Sequence, residues 1–230
     1  MLHRYSDKEW NKIGSSDPYY GVLVSNKFRI NQLNDKSINE FFESGSVHNK
    51  YLFDAIRTFV DPNFSPLAAL DFGCGVGRCA IPLAKYCRLV VGIDVSDGML
   101  HEAKKNAVYQ SLSNLKFFKS IDELSEFSGS FDFIHSFSTF QHIHQKRGFK
   151  IFEKLIDLLH EDGVAATEFI YHRANYFLSK IMGSLRRNIP LVNNLMNLFY
   201  KKPFSEPLME KYIYDIRKLL TILHQKGCNN

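Results

Sequence analysis

The sequence predicts an α/β fold built on a doubly wound parallel sheet, and three observations carry that expectation. Short apolar runs alternate with stretches of helical spacing between about residues 67 and 170. The first two runs, Leu70 to Phe72 and Leu89 to Asp94, each hold or end on an acid, Asp71 and Asp94. Between them lies a glycine-spaced turn, Gly73-Cys74-Gly75-Val76-Gly77-Arg78. Glycines at this spacing can take positive φ and let a ligand approach the main chain.

The elements follow in order. Asp7 to Ile13 reads as a short helix, and Gly14-Ser15-Ser16-Asp17-Pro18 as a turn cluster. Ser37 to Ser44 reads as a helical stretch stopped by Gly45. Val47 to Val60 is a second helix, with Leu52, Ile56, Phe59 and Val60 at helical spacing ahead of Pro62. Strand one falls near Leu67–Phe72, with its helix from about Gly77 to Tyr86. Strand two is Leu89–Ile93, and Ser96 is a suitable N-cap for a helix over Asp97–Ser111. Strand three is Leu115–Phe118 and strand four Phe131–Phe137. A helix covers about Lys146–Leu159, and His160-Glu161-Asp162-Gly163 turns the chain into strand five, Val164–Ile170. Right-handed crossovers then give the order 3-2-1-4-5, with the ligand crevice outside strands one and four, where the order reverses. Ala174–Phe199 is helical in pattern, with breaks near Gly183 and Pro190. Asp215–Gln225 is a last helix with Gly227 as its C-cap. The domain reading is a helical cap over 1–60, a ligand-binding core over 61–170, a helical lid inserted over 171–210, and a C-terminal helix over 211–230.

Composition narrows the class. The 230 residues are 45% hydrophobic and 23% charged, ordinary values for a globular domain. Arg4, Asp7, Lys8 and Glu9 leave no apolar segment for a secretory signal, and no apolar run is long enough to span a membrane. Cys74, Cys79, Cys87 and Cys228 show no metal-ligand spacing, so reduced thiols in a cytoplasmic protein are expected. The net charge is +5, but it is local. Six basic residues and no acidic ones lie between Tyr171 and Lys202, and the rest of the chain carries 23 basic and 24 acidic residues. A general nucleic-acid-binding surface is not indicated. The basic, apolar-striped segment suits a solvated hairpin, a lid over the acceptor, or contact with an anionic membrane surface. The sequence assigns no oligomeric state.

The glycine spacing points to a ligand. A dinucleotide fingerprint runs G-x-G-x-x-G and sets a helix N-terminus on a pyrophosphate. This loop runs G-x-G-x-G behind Asp71. An acid beside the loop disfavours a pyrophosphate and suits an ammonium group. Asp94, 21 residues beyond Gly73, has the spacing of an acid that meets ribose hydroxyls. A nucleoside with an amino-acid tail fits both, which is S-adenosylmethionine.

ALDFGCGVGR, VVGIDVSDGML, FDFIHSFSTFQHI and LLHEDGVAATEF together resemble the motifs of the class I S-adenosylmethionine-dependent methyltransferases, over about Leu52 to Tyr171. The resemblance implies a Rossmann-like fold, S-adenosyl-L-methionine as cofactor, S-adenosyl-L-homocysteine as product, and no metal. It implies that Asp71 and Gly73, Gly75 and Gly77 hold the methionine portion, with Arg78 as a carboxylate partner. It puts Asp94 on the ribose, Val95, Met99, Ile121 and Asp122 around the adenine, and Ser136 on the cofactor, in a loop over Ser136–His144 that borders both cofactor and acceptor. His142 is the general-base candidate, since histidine accepts a proton near neutral pH. Tyr171 and His172 are weaker acceptor-side candidates. The family normally adds a sixth strand and an antiparallel seventh. This sequence shows neither, so the last two strands are expected to be missing and the edge of strand five to be covered by the insertion or another subunit. The function expected is O- or N-methylation of a small-molecule acceptor. The alternative is a truncated, catalytically impaired protein that binds cofactor or a partner.

Overall fold

The computed structural model describes residues 5–228. The ends of the expected cap and C-terminal segments, at 1–4 and 229–230, lie outside the described residues. Five strands form one parallel sheet: β1 (Ala68–Phe72), β2 (Leu89–Ile93), β3 (Leu115–Phe118), β4 (Phe131–Ser136) and β5 (Leu159–Thr167). Their order is β3-β2-β1-β4-β5, the doubly wound order of a Rossmann-like sheet.

Strand alternation assigns the two faces. Leu70, Phe72, Val91 and Ile93 pack on one side with α6 (Gln145–Leu158), α9 (Ile216–Gln225) and the buried Tyr214. Ala69, Val90 and Phe133 pack on the other with Phe53 and Ile56 of α3 (Asp35–Phe59) and with α4 (Ala80–Leu83). Successive strand residues point to opposite faces, so Asp71 shares the face of Ala69. It therefore looks toward α3.

The N-terminal segment forms α1 (Tyr5–Ser16) and α2 (Pro18–Val22). Trp10, Ile13, Tyr19 and Val22 pack with Met99 of α5 (Asp97–Tyr109). Ser96 caps α5, its Oγ accepting from the Met99 N–H at 3.3 Å.

Several local expectations are corrected. Gly45 does not stop a helix. α3 is a single 25-residue helix, capped by reciprocal Asn34 and Ser37 hydrogen bonds, and it runs straight through Gly45. The helix after the glycine loop is shorter than Gly77–Tyr86. Turns occupy the chain up to Cys79, and only Ala80–Leu83 is α-helical. Pro82 lies in this first turn, where its missing N–H costs nothing. His160–Gly163 is not a turn. β5 starts at Leu159 and passes through these residues with a register shift against Phe131 and Phe133. α7 (Tyr176–Asn188) continues through Gly183, and the break before α8 (Val192–Phe199) falls at Ile189–Leu191. Leu191 takes φ 63° there. Among the described residues, no helix is long and apolar enough to cross a membrane.

Candidate functional site

A cavity of about 540 Å³ opens at the carboxyl ends of β1, β2 and β4. Its floor is the glycine loop. Gly73, Gly75 and Gly77 take φ of +79°, +55° and +91°. A β-carbon at Gly73 would sit 2.1 Å from Thr139 Oγ1, so the loop after β4 can close on this turn only because position 73 is glycine. One wall is the cap, with Trp10 of α1 and Val22–Val24. The loop after β4 adds Phe137, Gln141, His142 and Ile143 to the lining.

Asp94 anchors the loop to β2. Its Oδ2 accepts from the Gly75 N–H at 3.0 Å, and its Oδ1 from the Ser96 N–H at 2.9 Å. Burial pushes its carboxyl up to about 6, against the downward pull of those two N–H groups. Val95, Met99, Ile121 and Asp122 line the same end of the cavity. Asp122 is exposed and paired with Lys154.

His142 is buried, and its Nδ1 lies 2.9 Å from the Glu210 carbonyl. That carbonyl requires Nδ1–H, which leaves Nε2 as an acceptor. Desolvation lowers its pKa to about 4, so the ring is neutral at physiological pH. The Trp10 ring meets it edge-on at 5.1 Å, and its main-chain carbonyl accepts from Ser6 Oγ at 2.6 Å. Arg147, on α6, pairs with Asp7 of α1 at 2.6 Å, and both line the cavity.

Four of the residues singled out in the sequence do not line the cavity. Asp71 faces α3, as strand alternation dictates, and its Oδ1 takes His135 Nδ1 at 2.8 Å. Gly77 packs under Ile81. Arg78 is buried beneath α3 and donates to the Ser44 carbonyl at 3.3 Å. Ser136 is buried and donates to the Phe72 carbonyl at 3.0 Å. Tyr171 and His172 are exposed and do not line the cavity either. Within the 171–210 insertion, Met209 alone lines the cavity among the described residues, while α7 and α8 stand away from it. Nor do all its cations face solvent. Arg186 bonds Asn193 and Asn197, and Arg187 pairs with Glu210 at 2.8 Å. Phe137 lies in the loop expected to border the site, whereas sequence reasoning missed Arg147 and Lys211. Lys211 arrives from a return segment without regular structure, which periodicity cannot place.

Residues 69–163 match the family described as "Methyltransferase domain". A Geobacillus sp. (strain WCH70) protein, provisionally described as a methyltransferase, is 33% identical over 124 residues, 50% of each chain. The 23S rRNA (uracil(1939)-C(5))-methyltransferase of Aliivibrio fischeri (strain MJ11) is 33% identical over 81 residues, 35% of this chain and 18% of that one. The chain thus spans half or less of these curated relatives. Among solved structures, magnesium protoporphyrin IX methyltransferase from Synechocystis PCC 6803 with bound S-adenosylhomocysteine superposes with a TM-score of 0.60 at 20% identity. The match covers 96% of this chain and 89% of that one. PKMT2 from Rickettsia typhi, in complex with S-adenosylhomocysteine, gives 0.52 at 17% identity, covering 70% and 38%. The fold is therefore Rossmann-like. Over residues 69–163 the chain is similar to methyltransferase domains.

Proposed function

We infer that the chain binds S-adenosylmethionine in the 540 Å³ cavity and methylates an O or N atom of a small molecule, releasing S-adenosylhomocysteine. In this reading Asp94 accepts the ribose hydroxyls, and Val95, Met99 and Ile121 flank the adenine. The backbone at Gly73 and Gly75 meets the methionine portion. When bound, the cofactor would supply an electrophilic methyl group to the acceptor's lone pair, with the acceptor's proton passing to solvent. The protein's contribution is alignment of donor and acceptor. His142 suits that role through Nε2, as a hydrogen-bond acceptor that orients the acceptor's donor group. Its low pKa makes it a weak base at neutral pH.

The observation that supports a small acceptor is the enclosure. Trp10 and Val22–Val24 stand over the crevice, and the cavity has the size and mainly apolar lining of a small-molecule site. A second reading, an RNA acceptor, draws on the ribosomal-RNA methyltransferase relative.

The test begins with calorimetry of S-adenosylmethionine and S-adenosylhomocysteine on the full chain. Methyl-labelled cofactor is then incubated with a small-molecule extract and, separately, with total RNA. Label in the small-molecule fraction is expected. Label confined to RNA would establish the second reading. Cofactor binding with no transfer to either would leave the impaired, cofactor-binding alternative.

A further inference from the structure

Behind the glycine loop, on the face away from the cavity, α3 crosses the ends of β1 and β4. Asp71 and His135 are register partners on these adjacent strands and both point to α3. His135 Nδ1 contacts Asp71 Oδ1 at 2.8 Å, and His48 Nε2 from α3 stands 3.0 Å from His135 Nε2. Cys79, at the end of the glycine turn, completes the group. One ring nitrogen of each histidine and the Cys79 sulfur lie within 4.8 Å of one another. Cys79 and His135 are buried and His48 half-buried. None of the three lines the cavity.

The donor set has a definite chemistry. A carboxylate on Nδ1 fixes His135 in the Nδ1–H tautomer and turns its Nε2 lone pair toward His48. That carboxylate–imidazole pairing is the usual orienting arrangement behind a metal-bound histidine. Two imidazoles and a thiol select a borderline-soft divalent ion such as zinc, not magnesium or calcium. Tetrahedral zinc bonds place such ligand atoms roughly 3.3–3.6 Å apart. The observed cluster needs only small side-chain shifts to meet that spacing. The ligands come from separate elements already pinned together: Asn49, next to His48, donates from Nδ2 to the Cys79 carbonyl at 3.0 Å.

We propose that His48, Cys79 and His135 form a site for a zinc-type divalent cation, with Asp71 orienting His135, and that the ion fastens α3 to the sheet. Binding converts the Cys79 thiol to thiolate, and the proton is released to solvent. His48 shifts its ring proton from Nε2 to Nδ1 and ligates through Nε2. The thiolate and the Asp71 carboxylate together balance the dication. The ion plays no part in the methyl transfer.

The experiment is titration of the chelator-treated, reduced full chain with Co²⁺, followed by displacement with Zn²⁺. The expected result is one ion per chain, with the visible bands of tetrahedral cobalt and a near-ultraviolet sulfur-to-cobalt band. Cys79→Ser should abolish the sulfur band. His48→Ala, at a half-buried position that the fold tolerates more readily, should weaken binding by more than the roughly 10–100-fold typical of losing an outer partner. Zn²⁺ should raise the melting temperature of the parent and leave that of His48→Ala unchanged. The proposal is overturned if the parent binds no stoichiometric ion. It is equally overturned if the sulfur band survives in Cys79→Ser, which would put the ion on another cysteine, or if His48→Ala binds as the parent does.

Discussion

Gly45, in the middle of α3, lies directly against the main chain of Arg78: a β-carbon at position 45 would fall 1.8 Å from the Arg78 carbonyl oxygen. The helix therefore packs backbone to backbone on the segment that follows the glycine loop. Arg78 in turn donates to the Ser44 carbonyl. One missing methyl group sets how close α3 comes to the floor of the site.

Gly45→Ala should accordingly destabilise the protein, although alanine is the better helix former. The clash is with backbone, which cannot swing aside, so the cost should exceed the propensity gain and reach about 2–3 kcal/mol. Urea denaturation of parent and variant measures it. An unchanged or raised midpoint would show that α3 does not sit this close.

Under the proposed function, Asp94 would link cofactor binding to pH. Burial opposes ionisation of its carboxyl and pushes it up to about 6. In that reading ribose hydroxyls would donate to the charged form, so binding would favour deprotonation. Affinity for S-adenosylhomocysteine should fall as pH drops through 6, approaching about tenfold per unit. Asp94→Asn should bind more weakly at pH 7.5 and show a flattened pH profile. Calorimetry at pH 5, 6 and 7.5 checks both. Parallel profiles for parent and variant would remove Asp94 from the ribose.

Much of this frame was legible in the sequence. β2 and β3 fall at Leu89–Ile93 and Leu115–Phe118, where apolar runs are bounded by polar residues. The strand order followed from the crossover rule. Local strength misled at Gly45, where a long-range approach to Arg78 overrides a breaker signal. Asp71 was legible in principle. Leu70 and Phe72 share a face, so the residue between them must point the other way. What no pattern in one strand could reveal is the partner on that other face. The register Asp71 with His135 and the crossing of α3 at His48 arise only on folding. The return segment through Glu210 has no periodicity, which hid its contact with His142.

Glu210 joins the insertion to the site. Its side chain receives both Arg187, at 2.8 Å, and the Tyr212 hydroxyl, at 2.6 Å. Its main-chain carbonyl holds His142. Glu210→Ala should cost about 2 kcal/mol, since Arg187 is mostly buried and loses its charged acceptor. It should also lower methyl transfer by loosening His142, while cofactor affinity changes little. Glu210→Gln, which keeps an acceptor for Tyr212, should recover part of both. Equal stability and activity in all three proteins would detach the insertion from the site.

His142 provides the last expectation, and its sign is fixed by burial. The folded protein holds this ring neutral down to about pH 4, whereas an unfolded chain protonates it near 6.5. Between those values the unfolded state binds more protons, so the contribution is fully present above pH 6.5 and is lost as pH falls toward 4. The whole shift corresponds to about 3 kcal/mol. Replacement by glutamine removes the titration and retains a polar side chain. The difference in unfolding free energy between pH 7 and pH 4.5 should therefore be about 2–3 kcal/mol smaller in His142→Gln than in the parent. Comparing the two proteins cancels the other groups that titrate in this range. A matching loss in both would mean that His142 takes up its proton in the folded state, through water reaching the ring from the cavity. The ring would then be able to carry a proton during transfer, and its role would move from orientation to general base.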